Sequence, residues 1–253
     1  MREEVEVQRE RADSLQSLVE RLRGELSESR EVADIARRAL GSGAVSLLRR
    51  AYPHVGRAGS QFAEDEILAK LLPAPSGFYV DVGAGEPVEC SNTWQFYRRG
   101  WRGVLVEPLP QFWYAIMRQR PGDWLRPVAA YSKAGLATLR IAGTVSSMRP
   151  DWDIAAQTEL SVETDTLTNI LAAHPDVMKD CSLMSLDVEG AEAEVLAGID
   201  WSRFRPRVII VEFRLYDPAK PGRDVTETFE PLLTRVGYRF HAQTELNKVY
   251  TRG

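Results

Sequence analysis

Glycines and acidic residues stand in this sequence where short apolar segments end. Segment 78–82 leads into Gly83 and Gly85, and a second apolar segment ends at Glu107. Glycines at such a turn let the backbone approach a ligand closely, and a carboxylate after the next strand can accept hydrogen bonds from ribose hydroxyls. The pattern therefore predicts a nucleotide-type cofactor, either a nicotinamide dinucleotide or S-adenosylmethionine.

The residues that follow this glycine turn distinguish between the two cofactors. Glu86 and Glu89 would repel a pyrophosphate, and Pro87 has no backbone N–H to donate to one. S-adenosylmethionine carries a sulfonium cation and no phosphate. The turn therefore favours a methyltransferase over a nicotinamide-dependent oxidoreductase. We expect Asp81 and Gly83 to bind the amino and carboxylate groups of the methionyl part of S-adenosylmethionine.

Later apolar segments also end in small or acidic residues. The third segment ends at Ala130, a strongly apolar one ends at Asp187 just before Glu189, and the next ends at Glu212. Ligands bind beyond the carboxyl ends of parallel strands. An acceptor hydroxyl loses its proton when it is methylated, so we expect Asp187 with Glu189 or Glu212 to act as a base or to bind magnesium. His241 is the alternative base, and helix caps or salt bridges are the alternative role of the acids.

Strand and helix candidates alternate through the globular part of the chain, which we place at residues 60–253. Such alternation with short links predicts an α/β fold with a doubly wound, mostly parallel, Rossmann-like sheet. A C-terminal antiparallel hairpin, made by 238–241 and 248–251, is expected to close it. The predicted strands are 78–82, 103–107, 126–131, 137–141, 183–188 and 207–213, and the predicted helices are 61–72, 90–99, 110–119, 164–173, 190–198 and 226–236.

Apolar residues recur with a heptad spacing through residues 1–40, which contain no proline. Val5 and Val19 occupy one heptad position, and Leu15 and Leu22 occupy its partner position. This arrangement favours a parallel coiled coil that makes the protein a homodimer. The alternative is a single amphipathic helix that packs on its own domain.

The connection that follows, residues 41–59, is predicted to be a basic linker or a short amphipathic helix. Arginines but no acidic residues occur between positions 35 and 57. Such a segment can lie on an anionic membrane surface or contact an assembly complex. A solvated linker is the alternative.

The composition narrows the classes of function. A formal net charge of −4 over 253 residues argues against nucleic-acid binding. Cys90 and Cys181 lack the spacing of a zinc site or a disulfide framework. No apolar run approaches the roughly 20 residues of a membrane span, and the Glu- and Arg-rich start is unlike a secretory signal. We therefore expect a cytoplasmic protein, with any membrane contact peripheral and at the inner face.

Several segments together resemble one known family, the FkbM-type S-adenosylmethionine-dependent methyltransferases, from about residue 60 to the end. These segments are 60–65, 81–87, 91–93, 96–97, 100–103, 106–108, 185–192, 195–198, 205–212 and 246–250. The resemblance implies methyl transfer to a hydroxyl oxygen, often of a sugar, glycan or other natural product. It also implies that the cofactor is faced by four residues, Asp81, Gly83, Glu107 and Asp187. From the same loop and strand ends we add Gly85, Ser91 and Ala130 as expected cofactor contacts.

The acceptor side is less defined by the sequence. Ser146 to Met148 could form a loop that closes over the acceptor, and Trp152 could stack on a sugar ring. An ordinary surface loop is the alternative. Asn247 and Tyr250 are further acceptor-side candidates. The alternative to an enzyme is a non-catalytic coiled-coil scaffold that keeps the methyltransferase fold.

Overall fold

The structure is a computed structural model that describes residues 59–62, 64–142, 145–148, 158–215 and 223–253. The predicted coiled coil of residues 1–40 lies outside the described residues. So do Trp152 and all but the last residue of the predicted 41–59 linker. The helices are α1 Glu64–Leu71, α2 Trp94–Arg98, α3 Pro110–Gln119, α4 Leu167–Leu171, α5 Pro175–Asp180, α6 Glu192–Ala197 and α7 Thr226–Arg235.

The strands fall into three sheets. They are β1 Phe78–Val82, β2 Arg102–Val106, β3 Trp124–Arg126, β4 Ala129–Ala130, β5 Gly135–Ala142, β6 Val145–Ser147, β7 Thr158–Asp165, β8 Cys181–Leu186, β9 Val208–Glu212, β10 Arg214–Leu215, β11 Arg223–Asp224, β12 Tyr238–Gln243 and β13 Asn247–Arg252. The largest sheet has the order β12-β13-β9-β8-β1-β2-β3. In it β13 runs antiparallel to both of its neighbours, and the other pairs are parallel. The fold is therefore α/β with a mixed, Rossmann-like sheet, and its C-terminal hairpin pairs β12 with β13.

Helices cover both faces of this sheet because its central strands are apolar on both sides. In β1, Tyr79 packs into one core, while Val80 and Val82 pack into the other. The first core also takes side chains of α1, α2 and α3, and the second takes side chains of α4 to α7. The four central strands, β2, β1, β8 and β9, are buried along almost their whole length. Two-sided burial of near-continuous apolar strands is what parallel pairing requires.

A second sheet, in the order β4-β7-β5-β6, differs from the sequence prediction. The predicted strand 126–131 is two separate strands, because Pro127 lies between them and cannot donate to a sheet hydrogen bond. The predicted strand 137–141 lies in β5, which pairs antiparallel with β7 outside the main sheet. The predicted helix 164–173 ends earlier as α4, and Pro175 begins a separate helix, α5, at the position where proline is favoured.

The register of the main sheet brings the predicted site residues to one edge. Val82 pairs with Val106 on one side and with Leu186 on the other, and Leu186 pairs with Val211. The residues that follow these strands therefore emerge side by side. Among the helices of the described residues, none has the length and apolarity needed to cross a membrane.

Candidate active site

The glycine turn after β1 is held against the loop after β8. The N–H groups of Gly83 and Ala84 donate to the Val106 carbonyl at 2.9 and 3.3 Å. Gly83 has a φ of 76°, and a Cβ atom there would overlap the Asp187 carbonyl oxygen. Gly85 also has a left-handed φ, 49°, yet a Cβ atom there would meet no described atom within 4 Å. Gly83 thus permits backbone packing, whereas Gly85 borders open space that a ligand can fill.

Glu107 follows β2 and lies buried next to Gly85. Its carboxyl group accepts hydrogen bonds from the backbone N–H groups of Gly85, at 2.9 Å, and Leu109, at 2.8 Å. Burial raises the pKa of Glu107 to about 7, and the two backbone donors oppose that rise. Each carboxylate oxygen has two lone pairs, so both oxygens retain capacity to accept from hydroxyl groups of a ligand.

Asp81 and Ser91 point into the protein below the turn. Asp81 is buried and accepts a short hydrogen bond from the Thr93 hydroxyl, and it lies 3.7 Å from Arg120 Nη1. Ser91 Oγ is 3.3 Å from Thr93 Oγ1 and accepts from Arg120 Nη1 at 3.3 Å. Burial raises the pKa of Asp81, and the charge of Arg120 opposes this rise. Both side chains thus help to build the turn from beneath.

Three carboxyl groups meet beyond β8 and β9. Asp187, Glu189 and Glu212 each offer an oxygen, and these oxygens lie within 4.8 Å of one another. Burial raises the pKa of Asp187 to about 6. Burial and the charge of Asp187 hold the pKa values of Glu189 and Glu212 well above the usual range. Among the described residues, Glu189 Oε2 and Glu212 Oε2 have no hydrogen-bond partner although both atoms are buried.

The loop that carries two of these acids has an unusual backbone. Glu189 adopts a left-handed φ of 55°, which is uncommon for a residue with a side chain, and Gly190 follows with a φ of 100°. Glu192 is buried at the start of α6 and accepts from the N–H groups of Val188 and Gly190, both at 3.1 Å. Burial raises the pKa of Glu192 to about 7. The buried glutamate thus holds the strained loop in place, as expected where strain serves a site.

A match to a protein-family model identifies the family of the chain that carries this site. Residues 81–240 match the model of the Methyltransferase FkbM domain, so the match spans more than half of the chain. The chain belongs to the FkbM methyltransferase family. The match covers every residue described above, from the glycine turn to the carboxyl cluster. Membership makes methyl transfer the class of activity, with S-adenosylmethionine as the methyl donor.

The solved structures that are similar to this FkbM domain share little sequence identity with it. One is the methyltransferase FkbM from Methylobacillus flagellatus, with 14% identity, a TM-score of 0.44 and coverage of 70% of this chain and 44% of that chain. Another is a putative caffeoyl-CoA O-methyltransferase from Staphylococcus aureus, with 10% identity, a TM-score of 0.47 and coverage of 89% and 99%. None of the curated proteins matches this chain.

The FkbM domain fits S-adenosylmethionine in two observed respects. Gly85 leaves open space next to the turn, and Glu107 has the remaining acceptor capacity that ribose hydroxyls require. Gly83, in the turn, packs directly against the backbone carbonyl of Asp187, which belongs to the carboxyl cluster. Asp81 and Ser91, which the sequence predicts to contact the methyl donor, are buried. Their side chains accept hydrogen bonds from Thr93 and Arg120, respectively.

The remaining predicted site residues are spread more widely. Ala130 is buried in β4 within the second core. His241 lies on the exposed edge strand β12, three strands from β8 and so roughly 14 Å across the sheet from Asp187. The structure does not bring His241 to the carboxyl groups. Ser147 does reach this region, since its hydroxyl donates to the Glu189 carbonyl at 2.8 Å.

Asn247 and Tyr250, the two further acceptor-side candidates, form hydrogen bonds within the domain. Asn247 is buried and donates to Glu64 Oε1 at 3.0 Å, which joins α1 to the C-terminal hairpin. The Tyr250 hydroxyl donates to Glu230 Oε1 at 2.8 Å. Both hydrogen bonds connect elements of the domain to the C-terminal hairpin. Sequence reasoning missed the structural role of Glu64, although an acid at the start of a helix is a common capping signal.

We expect alanine substitutions at the two turn glycines to separate stability from donor binding. Gly83→Ala should destabilise the protein by about 3 kcal/mol or more, because the new methyl group overlaps backbone. Gly85→Ala should cost only about 1 kcal/mol for its left-handed φ, yet weaken S-adenosylhomocysteine binding because the methyl group enters the ligand space. Urea denaturation and calorimetry measure the two effects. Equal loss of stability in both variants would contradict this assignment.

Donor binding should depend on pH through Glu107. Its raised pKa of about 7 means that the carboxyl group gains a proton as the pH falls through 7 and then loses acceptor capacity. Affinity for S-adenosylhomocysteine should therefore fall by up to about tenfold per pH unit below 7. Calorimetry from pH 8 to pH 5.5 tests this. In Glu107→Gln the affinity should be low at every pH, and an unchanged pH profile in that variant would rule out Glu107 as the titrating group.

Proposed function

We propose that this FkbM protein transfers a methyl group from S-adenosylmethionine to a hydroxyl oxygen of a sugar, glycan or other natural product. The observation that carries the proposal is the cluster of Asp187, Glu189 and Glu212 beside the glycine turn. A hydroxyl is a weak acid and must lose its proton during transfer. Carboxyl groups at this position can remove that proton or stabilise the oxygen that remains.

The donor side of the reaction rests on residues around the turn. Bound S-adenosylmethionine supplies an electrophilic methyl group, which the acceptor oxygen attacks in line with the breaking carbon–sulfur bond. Glu107 accepts hydrogen bonds from the ribose hydroxyls, and the backbone from Gly83 to Gly85 borders the rest of the donor. These contacts orient the methyl group toward the carboxyl cluster.

On the acceptor side, Asp187 is the group best suited to take the proton. Burial raises the pKa of Asp187 to about 6 and a hydrogen bond with Glu212 opposes that rise, whereas burial and the charge of Asp187 hold the pKa of Glu212 well above its usual range. A base with a pKa close to the working pH is effective in proton transfer. Glu189, which lies in the same loop, is positioned to hydrogen-bond the acceptor hydroxyl.

A magnesium ion is the alternative means of activating the acceptor. Carboxylate oxygens are its preferred protein ligands, and the unpaired buried oxygens of Glu189 and Glu212 fit that requirement. When bound, the ion would lower the pKa of a coordinated hydroxyl and stabilise the alkoxide. Asp187, Glu189 and Glu212 would hold it, and their charge in the absence of a cation would be mutually repulsive.

We also propose roles for the N-terminal segments in dimer formation and in contacts with other cell components. The heptads of residues 1–40 support a parallel homodimer that sets the distance between two active sites. The basic segment 35–57 supports a contact with an anionic membrane surface or an assembly complex. Either contact would bring the enzyme to acceptors that are built on a larger assembly.

Transfer of a labelled methyl group to a panel of sugars and hydroxylated natural products tests the reaction. Wild type should label at least one acceptor on oxygen, and Asp187→Asn should lower the rate by about 10²-fold or more. Asp176→Asn, at an exposed position on α5, is the matched control and should leave the rate unchanged. Loss of the rate in EDTA, restored by magnesium, would favour the metal over the base. If wild type neither binds S-adenosylhomocysteine nor labels any acceptor, a scaffold becomes the better account.

Deletion of residues 1–40 tests the dimer. If the heptads hold two chains together, the truncated protein should be a monomer, with less than half the native mass of the full-length dimer, and should still bind S-adenosylhomocysteine. Light scattering after size exclusion gives the mass, and calorimetry gives the affinity. A truncated protein that remains dimeric would show that another surface forms the dimer.

A further inference from the structure

Arg120, immediately after α3, is completely buried in the FkbM domain. Its Nε donates to Asp123 Oδ2 at 2.8 Å, and its Nη2 donates to the Tyr79 hydroxyl at 2.8 Å. The guanidinium also lies against the rings of Tyr79 and Tyr97, 5.2 and 5.4 Å from their centroids. A buried cation is costly unless it is paired and fully hydrogen-bonded, and these contacts satisfy only one side of it.

The other side of the guanidinium contacts the segment that forms and follows the glycine turn at Gly83 and Gly85. We call this segment the donor turn, because the turn is expected to bind the methyl donor S-adenosylmethionine. Nη2 donates to Thr93 Oγ1 at 2.9 Å, and Nη1 donates to Ser91 Oγ at 3.3 Å and to the Pro87 carbonyl at 3.4 Å. Nη1 also lies 3.7 Å from Asp81 Oδ2. One planar group therefore binds this segment at several points between positions 81 and 93.

The framework side of the network is equally fixed. Asp123 Oδ1 accepts from the Gly103 N–H at 2.8 Å, and Asp123 Oδ2 accepts from the Tyr79 hydroxyl at 2.6 Å. Tyr79 belongs to β1, Gly103 belongs to β2, and Asp123 directly precedes β3. Arg120 thus connects three adjacent strands to the donor turn. The planar guanidinium has donors in a fixed fork, a geometry that lysine cannot reproduce.

The donor turn has a backbone that needs such support. Gly83 and Gly85 have left-handed φ values, which glycine adopts without strain, whereas Cys90 has a side chain and is strained by its φ of 59°. Conformations of this kind persist only when surrounding contacts hold them. If the turn is already fixed before binding, its ordering does not reduce the affinity for the donor.

The geometry points to Arg120 as the positioning residue that fixes the donor turn in its binding conformation, acting through Thr93, Ser91 and the Pro87 carbonyl. This inference rests on the proposed function, because the turn is taken to bind S-adenosylmethionine. It also assigns Asp81 and Ser91 a supporting role beneath the cofactor.

Calorimetry with S-adenosylhomocysteine, well below the unfolding temperature, tests this role. Arg120→Lys keeps the charge but loses the fork, and its Kd should rise by about tenfold, the effect of one lost charged hydrogen bond. Arg118→Lys is the matched control, since Arg118 is exposed on α3 and donates to the Tyr114 hydroxyl. It should leave the Kd unchanged. An Arg120→Lys protein that is folded and binds like wild type overturns the inference.

Hydrogen exchange separates positioning from general stability. In Arg120→Lys the amides of residues 83–91 should exchange faster than in wild type, and saturation with S-adenosylhomocysteine should restore their protection. A merely structural role would instead speed exchange across the whole core. Uniform acceleration therefore also overturns the inference.

Two milder variants decide the question even if Arg120→Lys fails to fold. Thr93→Val and Ser91→Ala remove single partners of the guanidinium, and each should raise the Kd severalfold with local faster exchange at residues 83–91. In a double-mutant cycle, Arg120→Lys with Thr93→Val should be less than additive because both act through one contact. Unchanged Kd values in both single variants, or full additivity, would overturn the inference. A wild type that does not bind at all would instead refute the proposed function.

Discussion

The close contact between Gly83 and the Asp187 carbonyl constrains everything at the site. The register of β2, β1, β8 and β9 brings the ends of these strands to one edge, and the absence of a side chain at Gly83 lets two loops touch there. The donor turn on one side and the carboxyl cluster on the other are therefore held at a fixed separation. In a transfer reaction, that separation sets whether the acceptor oxygen can approach the methyl group in line.

Burial of like charges gives the site its electrostatic character. Asp81, Glu107, Asp187, Glu189 and Glu212 all have raised pKa values, with burial as the largest cause. Such a group of acids would destabilise an ordinary core, and shifted pKa values of this kind are common at functional sites. The domain offsets part of the cost differently at each position. Backbone donors serve Glu107 and Glu192, and the buried Arg120 serves Asp81.

Strands and glycine turns could be predicted because their signals are local. An apolar run followed by glycine or an acid marks the end of β1, β2, β8 and β9 within a few residues. The pairing of β5 with β7 could not be predicted in this way, because β6 lies between them in the chain and β7 alternates polar and apolar residues without an apolar run. Pro127 and Pro175 were visible breaks, yet their effect depended on where the chain went next.

Short-range signals along the chain were enough to infer the family, the Rossmann-like class and the positions of Gly83, Glu107, Asp187 and Glu212 at strand ends. Periodicity and backbone chemistry act over a few residues, so these features can be inferred from neighbours along the chain. Which side chains meet could not be inferred in this way, because it follows from how the chain packs in three dimensions. The folded chain gathers the three carboxyl groups, places His241 on a distant edge, and packs the side chains of Asp81 and Ser91 beside Arg120. Those outcomes depend on strand order and on which face of a loop is buried, and neither is encoded in local spacing.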